Sequence, residues 1–147
     1  MKYSEGSIRR VFAVTFEHGD LLIESLKEII VKHGIRNGYI FMLGALGGGR
    51  LVMGPKTLEL PTEPMWGEFG DGREIIGIGS IAWDENTPHI HLHVAAGRAG
   101  DMLLGCLREG GRVHIVVEAV LFEMTFEFLG RSFDSKTGAY LPDHGQQ

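Results

Sequence analysis

From Pro88 to Val94 the chain alternates, with Ile90, Leu92 and Val94 interleaved among His89, His91 and His93. A period of two belongs to the β-strand, because successive side chains leave its backbone on opposite faces. The two faces here differ in chemistry: one is aliphatic and needs a core to cover it, and the other gathers three imidazoles. A strand cannot satisfy its own backbone hydrogen bonds, so this run commits the surrounding chain to a sheet.

The neighbouring segments supply partners for it. Ile8 to Phe16 alternates loosely and reads as a strand with both faces partly covered. Asp20 then stands where it can cap a helix. Leu22, Ile23, Leu26, Ile29 and Ile30 recur at helical spacing between Leu21 and His33, and Gly34 supplies the stop. Tyr39 to Leu46 is apolar and runs into a glycine-rich bend, after which Arg50 to Met53 can resume as a strand. Leu58 to Leu60 suggests a short strand, and Pro61 to Gly67 a loop. Glu74 to Trp83 and His89 to Ala96 pair across the turn from Asp84 to Pro88. Gly97 to Gly111 reads as a connection with a short helical turn, and Val113 to Phe128 as two strands or one bent strand.

These elements predict a single domain over residues 1–147, with a core at about 8–128 and a polar surface tail at 130–147. The predicted fold class is α+β, a mostly antiparallel sheet packed with one main N-terminal helix.

Composition narrows the functions. No apolar run approaches the roughly 20 residues needed to span a bilayer, and Met1 to Gly6 lacks the apolar stretch of a secretory signal. A cytoplasmic protein with no membrane partner is the expectation. A net charge of −5 argues against broad nonspecific DNA binding, which rests on cations neutralising phosphates. Cys106 is the only cysteine, so no intrachain disulfide can form. It is left as an inert buried thiol, a reactive group or a metal ligand.

The histidine face points to a transition metal. Alternate side chains on one strand face lie about 6–7 Å apart, which lets two imidazoles converge on an ion with bonds of about 2.0–2.1 Å. The outer pair is about twice as far apart, so two histidines plus a ligand from elsewhere are expected. Imidazole nitrogens with a thiolate favour zinc, and nickel, copper or iron are the other occupants such donors accept.

Several segments together resemble one family, the plant and prokaryote conserved (PPC or PCC) domain. Arg10-Val11-Phe12-Ala13-Val14 and Gly19-Asp20-Leu21-Leu22 look like its opening strand and helix, and Ile40 to Leu46 resembles its Gly-Ile-Gly-Ala segment. Glu74 to Ile81 resembles the strand leading to its His-x-His motif. His91-Leu92-His93-Val94-Ala95-Ala96 resembles that motif, and Leu104-Gly105-Cys106-Leu107 its downstream Gly-Gly-His-Leu. The resemblance implies a homotrimer and a metal held by His91, His93 and Cys106. Cysteine replaces the family's usual third histidine, and the connection is one residue shorter. His89 becomes an alternative ligand or a partner that supports the ligands from behind. Gly72-Arg73-Glu74-Ile75-Ile76 lacks the phenylalanine of the plant Gly-Arg-Phe-Glu-Ile-Leu segment, and the chain has no AT-hook for the DNA minor groove.

Three functions follow. The first is a trimeric metal-binding protein whose ion organises a small-molecule or regulatory site. The second is a metal-dependent enzyme acting on a small molecule, with Glu118, Glu123 or Glu127 as general base; all three read far more readily as exposed strand carboxylates. The third is DNA binding or transcriptional regulation, which the resemblance carries and the charge opposes. A cupin also uses His-x-His on a strand, but it places a glutamate four or five residues beyond the second histidine, and Val94 to Arg98 holds none.

Overall fold

The computed structural model describes residues 1–145. Strands run over Gly6–Glu17 (β1), Gly38–Pro55 (β2), Pro64–Phe69 (β3), Arg73–Trp83 (β4), Pro88–Arg98 (β5), Asp101–Phe126 (β6), Gly130–Asp134 (β7) and Ala139–Asp143 (β8), with one helix, α1, at Leu22–His33. Every strand pairing is antiparallel, and the main sheet has the order β1-β6-β5-β4-β2-β3. A further pairing of β6 with β2 closes β2, β4, β5 and β6 into a ring.

The α+β expectation is corrected by this architecture. The protein is a β-rich fold whose helix spans 12 of its 147 residues. Two segments that read as irregular are strands. Pro64 opens β3, which lies on the sheet edge, where a missing N–H costs no ladder bond. Asp101 to Gly111 is the first part of β6. It joins β5 through a turn at Ala99 and Gly100, both with positive φ (49° and 88°), the pattern of a two-residue hairpin. The glycine-rich bend lies inside β2, where the β2–β6 register shifts repeatedly opposite Gly110 and Gly111, so the two strands curl together. Leu58 to Leu60 forms no strand. The polar tail forms the β7–β8 hairpin, and its residues 146–147 lie outside the described residues.

The helix follows its sequence pattern. Leu22, Leu26 and Ile30 recur every four residues and are fully buried against β5 and β6. Gly34 ends the helix at φ 62°, its N–H reaching back to the Val31 carbonyl. Asp20 does not cap it; its carboxylate accepts the Glu17 N–H at 2.8 Å and closes the preceding turn instead. Facing the helix, Phe16, Ile40, Leu46, Leu92, Val94, Val113, Val117 and Leu121 complete the core. The aliphatic face of the histidine strand is therefore covered as its alternation requires.

Glu123 is the one buried charged residue among those described. It pairs with Arg10, and with Arg9 at 3.3 Å, and these arginines hold its carboxyl below the usual carboxylate range. Arg10 also donates to the His33 carbonyl at 2.8 Å, tying β1 to the end of α1.

Candidate metal centre

His91 and His93 stand on β5, and Cys106 on β6 is the cross-strand partner of His93. Val52 of β2 flanks Cys106 on its other side. Gly105 makes that approach feasible, since a Cβ there would overlap the Val52 carbonyl oxygen. The sulfur and the two imidazoles consequently meet, with one ligand atom from each lying within 4.8 Å of the others. The histidine Nε2 atoms are 3.0 Å apart and their rings are near perpendicular, at 83°. Cys106 is buried while both imidazoles reach the surface.

A tetrahedral zinc ion, with bonds of about 2.0–2.1 Å to nitrogen and about 2.3 Å to sulfur, separates its nitrogens by about 3.3 Å and each nitrogen from sulfur by about 3.6 Å. The observed spacings come within small side-chain rotations of those values, so the three residues fit such an ion. The protonation of His91 suits it as well, whereas Cys106 would have to give up its proton on binding. Burial, followed by the charges of His93, Arg131 and Arg108, pushes His91 down to about 4, which leaves that ring neutral with a lone pair free at pH 7. Burial raises the Cys106 thiol, against the opposing influence of Arg108, a backbone hydrogen bond at Leu92 and Arg131.

His89 lies apart from this trio. Its Nε2 meets Asp84 Oδ2 at 2.9 Å, and its ring stacks on Tyr140 with centroids 4.5 Å apart. That contact, with backbone hydrogen bonds from Thr87 and Asn86, holds Asp84 down at about 2. His89 thus anchors β8 to the β4–β5 turn. Of the three glutamates, Glu123 is committed to its arginines, while Glu118 and Glu127 are exposed.

Sequence reasoning missed the residues that the C-terminal hairpin brings in. Arg131 on β7 donates to Ser80 Oγ at 3.2 Å and to the Tyr140 carbonyl at 2.9 Å, and Ser80 is the cross-strand partner of His91. Nothing local marks Arg131 out, because its segment reads as a polar tail. An apolar sheet face also borders the trio. The register runs Val120, Phe41, Ile78, His93 across four strands, and Phe41, Leu43, Ile76 and Ile78 are all exposed. A cavity of about 830 Å³ lies further along the β5–β6 hairpin. There Arg73 is locked between Asp71 and Asp101, each at 2.8 Å.

The profile of the Plants and Prokaryotes Conserved (PCC) domain matches residues 3–125. The chain belongs to the PCC domain family. This PCC-domain protein is similar over its whole length to a PPC protein of Pyrococcus horikoshii, with a TM-score of 0.84, 26% identity and 100% of both chains covered. It is equally similar to a metal-containing protein of Archaeoglobus fulgidus, with a TM-score of 0.84 and 25% identity over 96% of this chain and 98% of that one. A presumed DNA-binding protein of Bacteroides thetaiotaomicron shares the fold, with a TM-score of 0.76 and 22% identity over 94% of this chain and 96% of that one. No curated protein matches the chain at a significant level. Among the described residues no helix is long and apolar enough to cross a membrane.

Proposed function

We propose that this PCC-domain protein binds a transition metal, zinc foremost, through His91, His93 and Cys106 of each chain, and that it assembles as a homotrimer in which the ion organises a small-molecule or regulatory site. The convergence of two imidazole nitrogens and one sulfur within 4.8 Å carries the reading. A metal-containing relative with the same fold supports it. Three protein ligands leave a fourth position open, where a bound ion would act as a Lewis acid toward a ligand or water.

The homotrimer is supported by the exposed apolar face beside the trio. Phe41, Leu43, Ile76 and Ile78 lie on neighbouring strands and form a contiguous patch of the kind that subunit contacts cover. DNA binding is the weaker reading, since a net charge of −5 works against phosphate neutralisation. The deciding experiment is elemental analysis of the purified chain beside its His91→Ala and Cys106→Ala variants. Stoichiometric metal in the parent and its loss from both variants is the expected result; full metal in both variants would refute the assignment.

A further inference from the structure

We infer that the open side of this centre receives a small oxyanion, a carboxylate or phosphate group, held by Arg131 and Arg108. The inference rests on the metal reading and names the ligand class of that same site.

The argument begins with how this chain treats its arginines. Arg9, Arg10, Arg50, Arg73 and Arg98 each face a carboxylate. Among the described residues, Arg36, Arg108, Arg112 and Arg131 form no ion pair, and the first three of these are exposed. For an exposed side chain that would mean little. Arg131, however, is partly buried, and its Nε is shut off from solvent without a hydrogen-bond partner. A guanidinium carries five N–H donors in a rigid fork, and a buried one left short of acceptors is costly. Its two present bonds go to neutral oxygens, Ser80 Oγ and the Tyr140 carbonyl. These fix the side chain in place and leave its charge unanswered.

The second cation compounds the problem. Arg108 follows Cys106 by two residues on β6, and the repulsion between Arg108 and Arg131 adds to burial in pulling Arg131 below the ordinary guanidinium range. Arg131 is held on Ser80, the cross-strand partner of His91, and Arg108 stands two residues beyond Cys106 on β6, so each lies next to a member of the trio. Two unpaired guanidinium groups beside a divalent ion would make a strongly positive site even after the thiolate is counted. An oxyanion would answer these charges, its oxygens accepting from the arginine forks beside the ion that His91, His93 and Cys106 would hold.

The test uses the full chain loaded with cobalt(II), whose visible bands report changes at the ion. Acetate and inorganic phosphate are titrated separately at constant ionic strength. Saturable band shifts are expected, and the tighter anion identifies the class. Arg131→Met should weaken that anion by about tenfold or more, since a charge-assisted fork is lost. Arg108→Met should weaken it less and Arg131→Lys should recover part, with cobalt content unchanged throughout. No cobalt uptake at all would overturn the metal reading and this inference with it. Uptake without an anion response, or a response unchanged in the Arg108→Met/Arg131→Met double variant, would overturn this inference alone. So would a loss of cobalt affinity in the arginine variants with unaltered anion binding, because the arginines would then serve the thiolate.

Discussion

His93 faces Cys106 directly across the β5–β6 pairing, six residues from the Ala99–Gly100 turn that sets the register. Because side chains alternate, a slip of one residue at that turn would send the two candidate ligands to opposite faces. The centre is therefore a property of the hairpin as much as of the ligands themselves.

Metal content should follow the geometry of the trio. His93→Ala should lose the ion as His91→Ala and Cys106→Ala do, whereas His89→Ala should retain it, since His89 is occupied with Asp84 and Tyr140. Elemental analysis after dialysis reads the difference, and metal loss from His89→Ala would place that ring at the ion.

Thermal stability should depend on the Glu123 cluster in a defined pH range. The carboxyl sits below its ordinary value of 4.5 in the folded protein, chiefly through the Arg10 hydrogen bond. A depressed folded pKa gives stability that is complete above about 4.5 and is lost as pH falls through the folded value. Glu123→Gln should thus melt several degrees lower at neutral pH, and the gap should narrow in melts recorded at progressively lower pH below 4.5. A gap that stays constant to pH 3 would remove the carboxylate from the explanation.

The helix should be held by its buried face. Leu26→Ala empties a fully buried position and should cost about 2–5 kcal/mol in chemical denaturation. Val31→Ala, at a position 58% exposed, should change stability by no more than about 0.5 kcal/mol.

Assembly should fail when the outer sheet face is charged. Ile78 is 54% exposed, so Ile78→Asp leaves the core intact. Light scattering should find the parent at three times the chain mass and the variant at a smaller multiple, with the same far-UV dichroism. A parent that runs as a monomer would sink the trimer.

The alternation of residues 88–94, the helical spacing of 22–30 and the stop at Gly34 were legible because each is a local pattern that the core enforces. Cys106 was legible as a candidate ligand by its isolation and by resemblance, and the fold brings it to His91 and His93. Other features depended on context that no local pattern carries. Pro64 looks like a loop residue until β3 is known to be an edge strand. The glycines at 110 and 111 look like breakers, yet their positive φ values (74° and 72°) bend a strand without ending it. Asp20 stands where a helix cap would, and the nearer Glu17 N–H captures it instead. Arg131 became visible only when the tail folded back against Ser80, a contact spanning 51 residues of sequence.

The 26-residue length of β6 has a consequence for how the molecule comes apart. One continuous strand pairs with β1, β2 and β5, and carries Cys106 near its start and Glu123 near its end. Opening it anywhere exposes amides in several neighbours together, so amide hydrogen exchange in β1, β2 and β5 should slow and quicken as a single cooperative unit. An ion gripped at one end of that strand would then be felt as protection at the other, on β1, far from any ligand.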